Sequence, residues 1–141
     1  MAGADTHLFV YGTLLSGDTG PGGRPQRDRL AREARFIASA SVLGRLYHLG
    51  RYPGLVLDGG PGDIVHGELL ELVTPTPANT LAWLDDYEGI EPGDHPSNEY
   101  ERRMIEVTLA SGESMNAWCY VFRRPTLGKP LIASGRWLAR D

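Results

Sequence analysis

Glu88 is the side chain with the clearest potential for chemistry, because it falls on the apolar face of a helix expected over residues 77–88. At about 100° per residue, Glu88 lies between Leu81 and Leu84 around the helix axis, so it should point inward. An acid in the last helical turn also opposes the helix dipole, which favours cations there. Both effects raise the pKa of a carboxyl group. A carboxyl with a raised pKa beside a cavity is suited to general acid and base catalysis near neutral pH.

A second interpretation of Glu88 is purely structural. An arginine such as Arg102 can pair with an inward carboxylate, and that ion pair would only hold the helix against the sheet. Buried ion pairs perturb carboxyl groups as catalytic sites do, so the helical spacing alone does not decide between the two interpretations. On the same helix, Asp86 falls where solvent is expected and Asp85 lies at the edge of the apolar stripe.

The elements that must position Glu88 are mostly strands. Alternating and β-branched patterns predict six strands and two helices. The strands are expected at 7–11, 39–49, 54–58, 65–73, 100–109 and 114–124, and the helices at 26–36 and 77–88. Short connections favour hairpins, so we expect a mixed α/β (α+β) fold with a small mixed or antiparallel β-barrel core and flanking helices. The length of 141 residues is that of one domain, spanning 1–141.

Composition excludes several classes of partner. The net charge of −4 is spread without basic blocks, so neither a nucleic-acid backbone nor an anionic membrane is an expected partner. The N-terminal residues show no signal-peptide pattern and no apolar run approaches a membrane span. A single cysteine, Cys119, fits a reducing compartment, so a cytoplasmic location is expected. The oligomeric state is left open by the sequence.

Neither a metal nor an organic cofactor is expected. The four histidines have no metal-type spacing with each other or with Cys119, and the glycine-rich run 16–25 lacks the lysine of a nucleotide-binding P-loop. Cys119, in an expected strand, is interpreted as a core residue.

Aromatic and basic residues on the later strands are candidates for substrate contact. Tyr100 and Arg102 share one strand face, and Tyr120 lies on the partner strand of the same hairpin. Arg102 can hold a substrate carboxylate or neutralise a structural acid. Tyr52 and Tyr120 can line a pocket, or they can pack in half-buried strands with satisfied hydroxyls.

An ordered set of short motifs runs through nearly the whole chain. They are Y11-G-T-L14, L46-Y-H-L-G-R-Y-P-G-L-V56, H66-G-E-L-L-E-L72, L84-D-D-Y-E-G89, Y100-E-R102, A117-W-C-Y120 and S134-G135. Together and in this order, they resemble the gamma-glutamylcyclotransferase-like family. The resemblance implies a β-barrel α/β fold and release of 5-oxoproline from a γ-glutamyl compound. It also implies that Glu88 is the catalytic glutamate and that no cofactor takes part.

The resemblance further implies that the loop Tyr11, Gly12, Thr13 and Leu14 holds the glutamyl group through its backbone. The physical reason is that Gly12 lets the backbone turn close to a ligand, and amides freed from a strand ladder can bind a carboxylate or an oxyanion. The alternative is that Gly12 is an ordinary turn glycine.

Two hypotheses about function follow. In the first, the protein is an enzyme that cyclises a small γ-glutamyl amine or γ-glutamyl amino acid, with Glu88 as general acid and base and with Tyr52, Arg102 and Tyr120 beside the loop as substrate contacts. In the second, the same fold binds a small metabolite or a partner without turnover. The identity of the leaving amine is not encoded in the recognisable motifs.

Overall fold

The computed structural model describes residues 6–57, 60, 62–91 and 96–139. Two α-helices are present, α1 (Arg24–Glu33) and α2 (Pro77–Tyr87), and a short 3-10 helix covers Trp137–Ala139. Seven strands follow one another along the described chain: β1 (His7–Val10), β2 (Ala34–Leu43), β3 (Arg45–His48), β4 (Pro53–Val56), β5 (Ile64–Leu72), β6 (Tyr100–Leu109) and β7 (Ser114–Phe122).

Five of these strands close into a barrel in the order β1-β5-β2-β6-β7, and β3 and β4 form a separate two-stranded sheet. All pairs are antiparallel except β1 with β7, which run parallel. The expected mixed α/β fold with a barrel core is therefore confirmed. Strand β1 has partners on both sides and all four of its residues are buried, which explains its apolar sequence.

The expected strand 39–49 is wrong at Gly44, where the chain divides into β2 and β3 in two different sheets. The Gly44 amide donates to the Asp63 carbonyl at 2.9 Å, and a Cβ at this position would lie 2.6 Å from the Val56 carbonyl oxygen. A glycine is thus required for the bend that carries β3 away from the barrel. Because of this division the described residues form seven strands, where the sequence pattern predicts six.

The expected helix 26–36 is wrong at both ends. Helix α1 begins at Arg24, after Gly23 with a φ of 78°, and ends at Glu33. Its apolar pattern continues into Ala34 and Phe36, but these residues pair with β5 opposite Leu72 and Leu70. Pairing with β5 therefore ends the helix and starts strand β2 at Ala34. In this strand the Phe36 side chain is exposed.

Helix α2 confirms the predicted helix almost to the residue. Pro77 occupies the first turn, Glu88 is the C-terminal cap residue and Gly89 follows with a φ of 74°. Thr76 lies at the N-cap position but its side chain makes no capping hydrogen bond. Leu81 and Leu84 are buried, so the apolar stripe faces the interior as its spacing indicates.

No helix in the described part of the chain is long and apolar enough to span a membrane. Strand β6 matches its expected bounds, whereas β7 ends at Phe122 and not at Arg124. The expected strand 54–58 corresponds to β4, and Asp58 lies outside the described residues.

Candidate active site

A cavity of about 440 Å³ lies where the end of β1, the β3–β4 turn and the end of α2 meet. Its inner wall is made of buried residues, among them Tyr11, Gly12, Pro53, Tyr100 and Tyr120. Its rim is made of exposed residues, namely Gly22, Arg51, Tyr52, Gly89 and Glu99. A volume of this size accommodates a small molecule such as a dipeptide and is within the usual range of small-ligand pockets.

Glu88 lines this cavity from the end of α2. Its amide donates to the Leu84 carbonyl at 2.9 Å, which fixes the backbone. The residue is half-buried, and no described residue gives its carboxylate a hydrogen bond or an ion pair. Burial, together with the smaller effect of the nearby Asp85 charge, raises the pKa of the Glu88 carboxyl to about 7. The group can therefore both take and return a proton near neutral pH.

Arg102 binds Asp85 and not Glu88. Its Nε donates to Asp85 Oδ1 at 2.8 Å and its Nη2 to Oδ2 at 3.2 Å, and the guanidinium lies 4.3 Å from the centre of the Trp118 ring. The structural pairing considered for Glu88 is thus taken by the acid at the edge of the helix stripe. As a result Glu88 is left without a counter-ion, and Arg102 does not line the cavity.

Tyr120 connects the Asp85 pair to the cavity. Its hydroxyl donates to Asp85 Oδ1 at 2.6 Å, while its ring forms part of the inner wall. Burial, together with the hydrogen bond to Asp85, raises the pKa of the Tyr120 phenol well above its usual value. Tyr120 therefore stays protonated, and Asp85 is positioned beside Glu88 by two donors, one from Arg102 and one from Tyr120.

The loop after β1 lies on the same inner wall. Among the described residues no acceptor pairs with the amides of Gly12, Thr13 or Leu14, whereas the Leu15 amide donates back to the Gly12 carbonyl at 3.0 Å. Three consecutive amides without an acceptor among the described residues are available to bind an anion. All three residues line the cavity that contains Glu88.

Arg27 on α1 holds this loop in shape, a role that the sequence pattern did not reveal. Its guanidinium donates to the carbonyls of Thr13 and Gly22 at 2.8 Å and to that of Gly20 at 2.5 Å. Thr13 Oγ1 and the Tyr87 hydroxyl share a further hydrogen bond at 2.9 Å. The loop that carries the three free amides is therefore hydrogen-bonded to both helices. No local signal marks Arg27, because its three acceptors become neighbours only when the glycine-rich run folds.

Two buried tyrosines support the inner wall. The Tyr11 hydroxyl donates to the Tyr120 carbonyl at 2.6 Å and accepts from the Leu55 amide at 3.3 Å. The Tyr100 hydroxyl donates to the Pro53 carbonyl at 2.6 Å. Burial raises the pKa of both phenols, so both remain neutral. Their hydrogen bonds to Leu55 and Pro53 connect the β3–β4 sheet to the barrel.

Seven of the eight residues singled out from the sequence line one cavity: Tyr11, Gly12, Thr13, Leu14, Tyr52, Glu88 and Tyr120. Arg102 is the exception. The sequence reading did not single out Arg51, Glu99 or Tyr87 as cavity residues, since each reaches the cavity from a different loop or helix end.

Among the described residues, no group of three or more His, Cys, Asp or Glu side chains is placed to hold a metal ion. His95, one of the four histidines without metal-type spacing in the sequence, lies outside the described residues. Cys119 is fully buried in β7, and burial raises the pKa of its thiol above the usual range.

Gly12 is required where it stands because a Cβ there would lie 2.7 Å from Pro53 Cγ and 2.9 Å from Pro53 Cδ. The Pro53 ring is buried and cannot rotate aside, so Gly12→Ala must displace the loop and its amides. We expect the variant to lower kcat/KM for turnover in this cavity roughly 10-fold, and to lower the free energy of unfolding measured in urea by roughly 1–2 kcal/mol.

Gly62→Ala is the matched control for Gly12→Ala. A Cβ at Gly62 meets nothing within 4 Å, and this residue does not line the cavity. Its turnover should equal that of the wild type. Unchanged turnover in Gly12→Ala would show that the loop amides do not act on the substrate.

The fold and the site together define a small closed-barrel protein with a ligand cavity. The cavity contains the unpaired carboxyl of Glu88 and the free backbone amides of the loop after β1. Residues 8–139 match the model of the family described as gamma-glutamyl cyclotransferase, AIG2-like. The chain belongs to the gamma-glutamyl cyclotransferase family.

Similar proteins agree with this assignment. The chain is 39% identical over 135 residues to a gamma-glutamylcyclotransferase family protein of Citrobacter rodentium, covering 95% of this chain and 96% of that one. It is 33% identical over 120 residues to the gamma-L-glutamyl-butirosin B gamma-glutamyl cyclotransferase of Niallia circulans, covering 84% and 67%. Among solved structures, an AIG2-like protein from Mus musculus aligns with a TM-score of 0.66 at 28% identity, covering 89% and 84%.

Proposed function

We propose that this protein releases 5-oxoproline from a γ-glutamyl compound by intramolecular attack of the α-amine on the γ-carbonyl carbon. The observation that carries the proposal is Glu88, an unpaired carboxyl whose pKa is raised to about 7, in the same cavity as three free loop amides. Family membership and a relative named as a gamma-glutamyl cyclotransferase support the same reaction class.

The first step needs a base. In a γ-glutamyl substrate the α-amine is an ammonium group, which cannot attack until it loses a proton. Glu88 as carboxylate accepts that proton, and its missing counter-ion makes the cavity favourable for the ammonium. The apolar wall around Tyr11 and Tyr100 favours a folded substrate in which nitrogen and carbonyl carbon are adjacent.

The second step needs an oxyanion site and an acid. Closing the five-membered ring forms an N–C bond and places negative charge on the γ-oxygen, which the amides of Gly12, Thr13 and Leu14 can stabilise. Glu88, now neutral, protonates the leaving nitrogen as its C–N bond breaks. The regenerated carboxylate takes the second proton of the attacking nitrogen and passes it to the released amine, which leaves as an ammonium group. Overall the attacking nitrogen loses two protons and the leaving nitrogen gains two, so the step needs no oxidant, reductant or external nucleophile.

The proposal is tested by measuring 5-oxoproline release by the wild-type protein from γ-glutamyl amino acids, glutathione, γ-glutamyl-ε-lysine and γ-glutamyl amines. Turnover of at least one of these classes is expected. If the folded protein binds one of these compounds, as measured by calorimetry, but releases no 5-oxoproline, it is a binding module and the proposed reaction is refuted.

Asp85 should tune the pH dependence of this reaction. Glu88 must be ionised in the free enzyme, so kcat/KM should rise with pH through a value near 7. The charge of Asp85 raises the pKa of Glu88, so Asp85→Asn should move this acidic limb to lower pH. The side-chain oxygen of asparagine can still accept the Tyr120 hydroxyl, so this substitution removes the negative charge and keeps that hydrogen bond. A limb that stays in place would show that Asp85 does not act on Glu88.

A further inference from the structure

The rim of the cavity carries a cation that the proposed reaction has not used. Arg51 lies in the turn between β3 and β4, is exposed, and lines the cavity. It is the only basic side chain among the described lining residues, and no described residue offers it a hydrogen bond or an ion pair. The turn itself is fixed, since the Leu49 amide donates to the Tyr52 carbonyl at 3.0 Å.

Charged residues of both signs lie on this rim and on the cleft beside it. Glu99 is the only acid on the rim among the described residues, and its carboxylate accepts the Tyr52 hydroxyl at 2.9 Å. Glu99 also lines a neighbouring cleft together with Arg124 and Lys129, which both are exposed. Arg51, Arg124 and Lys129 therefore lie on the two clefts that Glu99 lines. Because the Glu99 carboxylate already accepts the Tyr52 hydroxyl, Arg51 is the charged rim residue left for a substrate anion among the described residues.

The geometry of a γ-glutamyl substrate decides which anion reaches the rim. Its α-carboxylate is bonded to the carbon that carries the α-amine, so it stays near Glu88, the base proposed for that amine. The leaving amine is attached on the far side of the γ-carbonyl and extends outward. A negative charge on the leaving amine, and not on the glutamyl half, is therefore the charge that meets Arg51.

We propose that Arg51 binds the α-carboxylate of the leaving group, so that the preferred substrates are γ-glutamyl α-amino acids and not γ-glutamyl amines. The inference rests on the proposed function and adds the class of leaving group. The planar guanidinium of Arg51 suits a carboxylate with two parallel hydrogen bonds, which an amine or a neutral amide cannot accept in the same way.

The test compares γ-glutamyl-alanine with γ-glutamyl-alaninamide, which have nearly the same shape and differ in the charge of the leaving group. In the wild type and in Arg51→Gln, kcat/KM is measured for both compounds by 5-oxoproline release. We expect Arg51→Gln to lower kcat/KM for γ-glutamyl-alanine about 10-fold and to leave the value for the amide unchanged. The change in the ratio is diagnostic, because the two leaving amines also differ in basicity.

Two further variants sharpen the result. Arg51→Lys keeps the charge but loses the paired donors, so it should recover part of the lost kcat/KM. Arg103→Gln is the matched control, because Arg103 is an exposed arginine of β6 that does not line the cavity, and it should match the wild type on both compounds. Added salt should lower the ratio of kcat/KM for γ-glutamyl-alanine to that for γ-glutamyl-alaninamide in the wild type, because an ion pair between Arg51 and the substrate carboxylate at the exposed rim is screened by salt.

The outcomes separate this inference from the reaction itself. An equal loss for both compounds in Arg51→Gln would place Arg51 on the glutamyl half, and no loss for either would remove it from binding. Both results overturn the inference while the wild type still turns over. A preference for γ-glutamyl-putrescine that depends on Glu99, seen with Glu99→Gln, also overturns it. If the wild type releases no 5-oxoproline from any of these compounds, the proposed function fails and the inference fails with it.

Discussion

Replacing Glu88 by glutamine is expected to lower kcat for 5-oxoproline release about 10²- to 10⁴-fold with an intact fold. The amide has nearly the same shape as the carboxyl but can neither accept the proton of the α-ammonium nor return it to the leaving amine. KM should change less than kcat, because the loop amides and the apolar wall remain. Initial rates with a saturating substrate from the active class give kcat directly, and circular dichroism verifies the fold.

Asp86→Asn is the matched control for Glu88→Gln. Asp86 is an acid two residues earlier on the same helix, it is exposed, and it does not line the cavity. Both substitutions remove one negative charge from the end of α2, so a general effect of charge would appear in both. Wild-type turnover in Asp86→Asn with a large loss in Glu88→Gln assigns the proton transfer to Glu88. Wild-type turnover in both variants would exclude Glu88 from the chemistry.

The same Glu88→Gln variant is expected to be more stable than the wild type at pH 8, by about 2–3 kcal/mol. In the folded protein the pKa of Glu88 is raised from 4.5 to about 7. Between these two values the folded state holds a proton that the unfolded state has lost, so the free energy of unfolding falls as pH rises. Above pH 7 the folded state bears the full cost of an unpaired charge that is partly removed from water, and glutamine removes that cost.

The dependence on pH is the decisive part of this measurement. Below pH 4.5 Glu88 is neutral in both states, so the difference in the free energy of unfolding between wild type and Glu88→Gln should vanish. Urea unfolding at a series of pH values from 4.5 to 8 follows this difference. Asp86→Asn should not show the same increase, because Asp86 is exposed. A Glu88→Gln protein that is less stable than the wild type at pH 8 would show that Glu88 makes a stabilising ion pair.

A gain in stability and a loss of activity from one substitution would mark Glu88 as a site where function opposes folding. The sequence already shows this opposition in outline. The spacing of Leu81, Leu84 and Glu88 places an acid on an apolar stripe, and both leucines are buried as that spacing requires. The helix also begins at Pro77 and stops before Gly89, because proline and glycine act on the local backbone alone.

The sequence could not predict which of the two acids on α2 pairs with Arg102. Arg102 was equally available to Glu88 and Asp85, which are three residues apart on α2. The choice depends on how α2 docks on the barrel, and in the structure Asp85 takes both Arg102 and the Tyr120 hydroxyl. Tertiary packing decides which acid binds Arg102, because Asp85 and Glu88 are separated by less than one helical turn and both are within reach of the strand that carries Arg102.

By itself the sequence determined the features that rest on local rules: a strand that stops at Gly12, an inward acid at the end of α2, and a set of short hairpin-forming strands. Tertiary structure alone decided which strands close the barrel and that the chain bends at Gly44 so that β3 joins a second sheet. It also decided that Arg27 binds the loop after β1 and that Arg51 lies on the cavity rim. Local patterns fix backbone conformation and burial, because these depend on neighbouring residues. Contacts between distant segments depend on the whole packed chain, and the cavity is made only of such contacts.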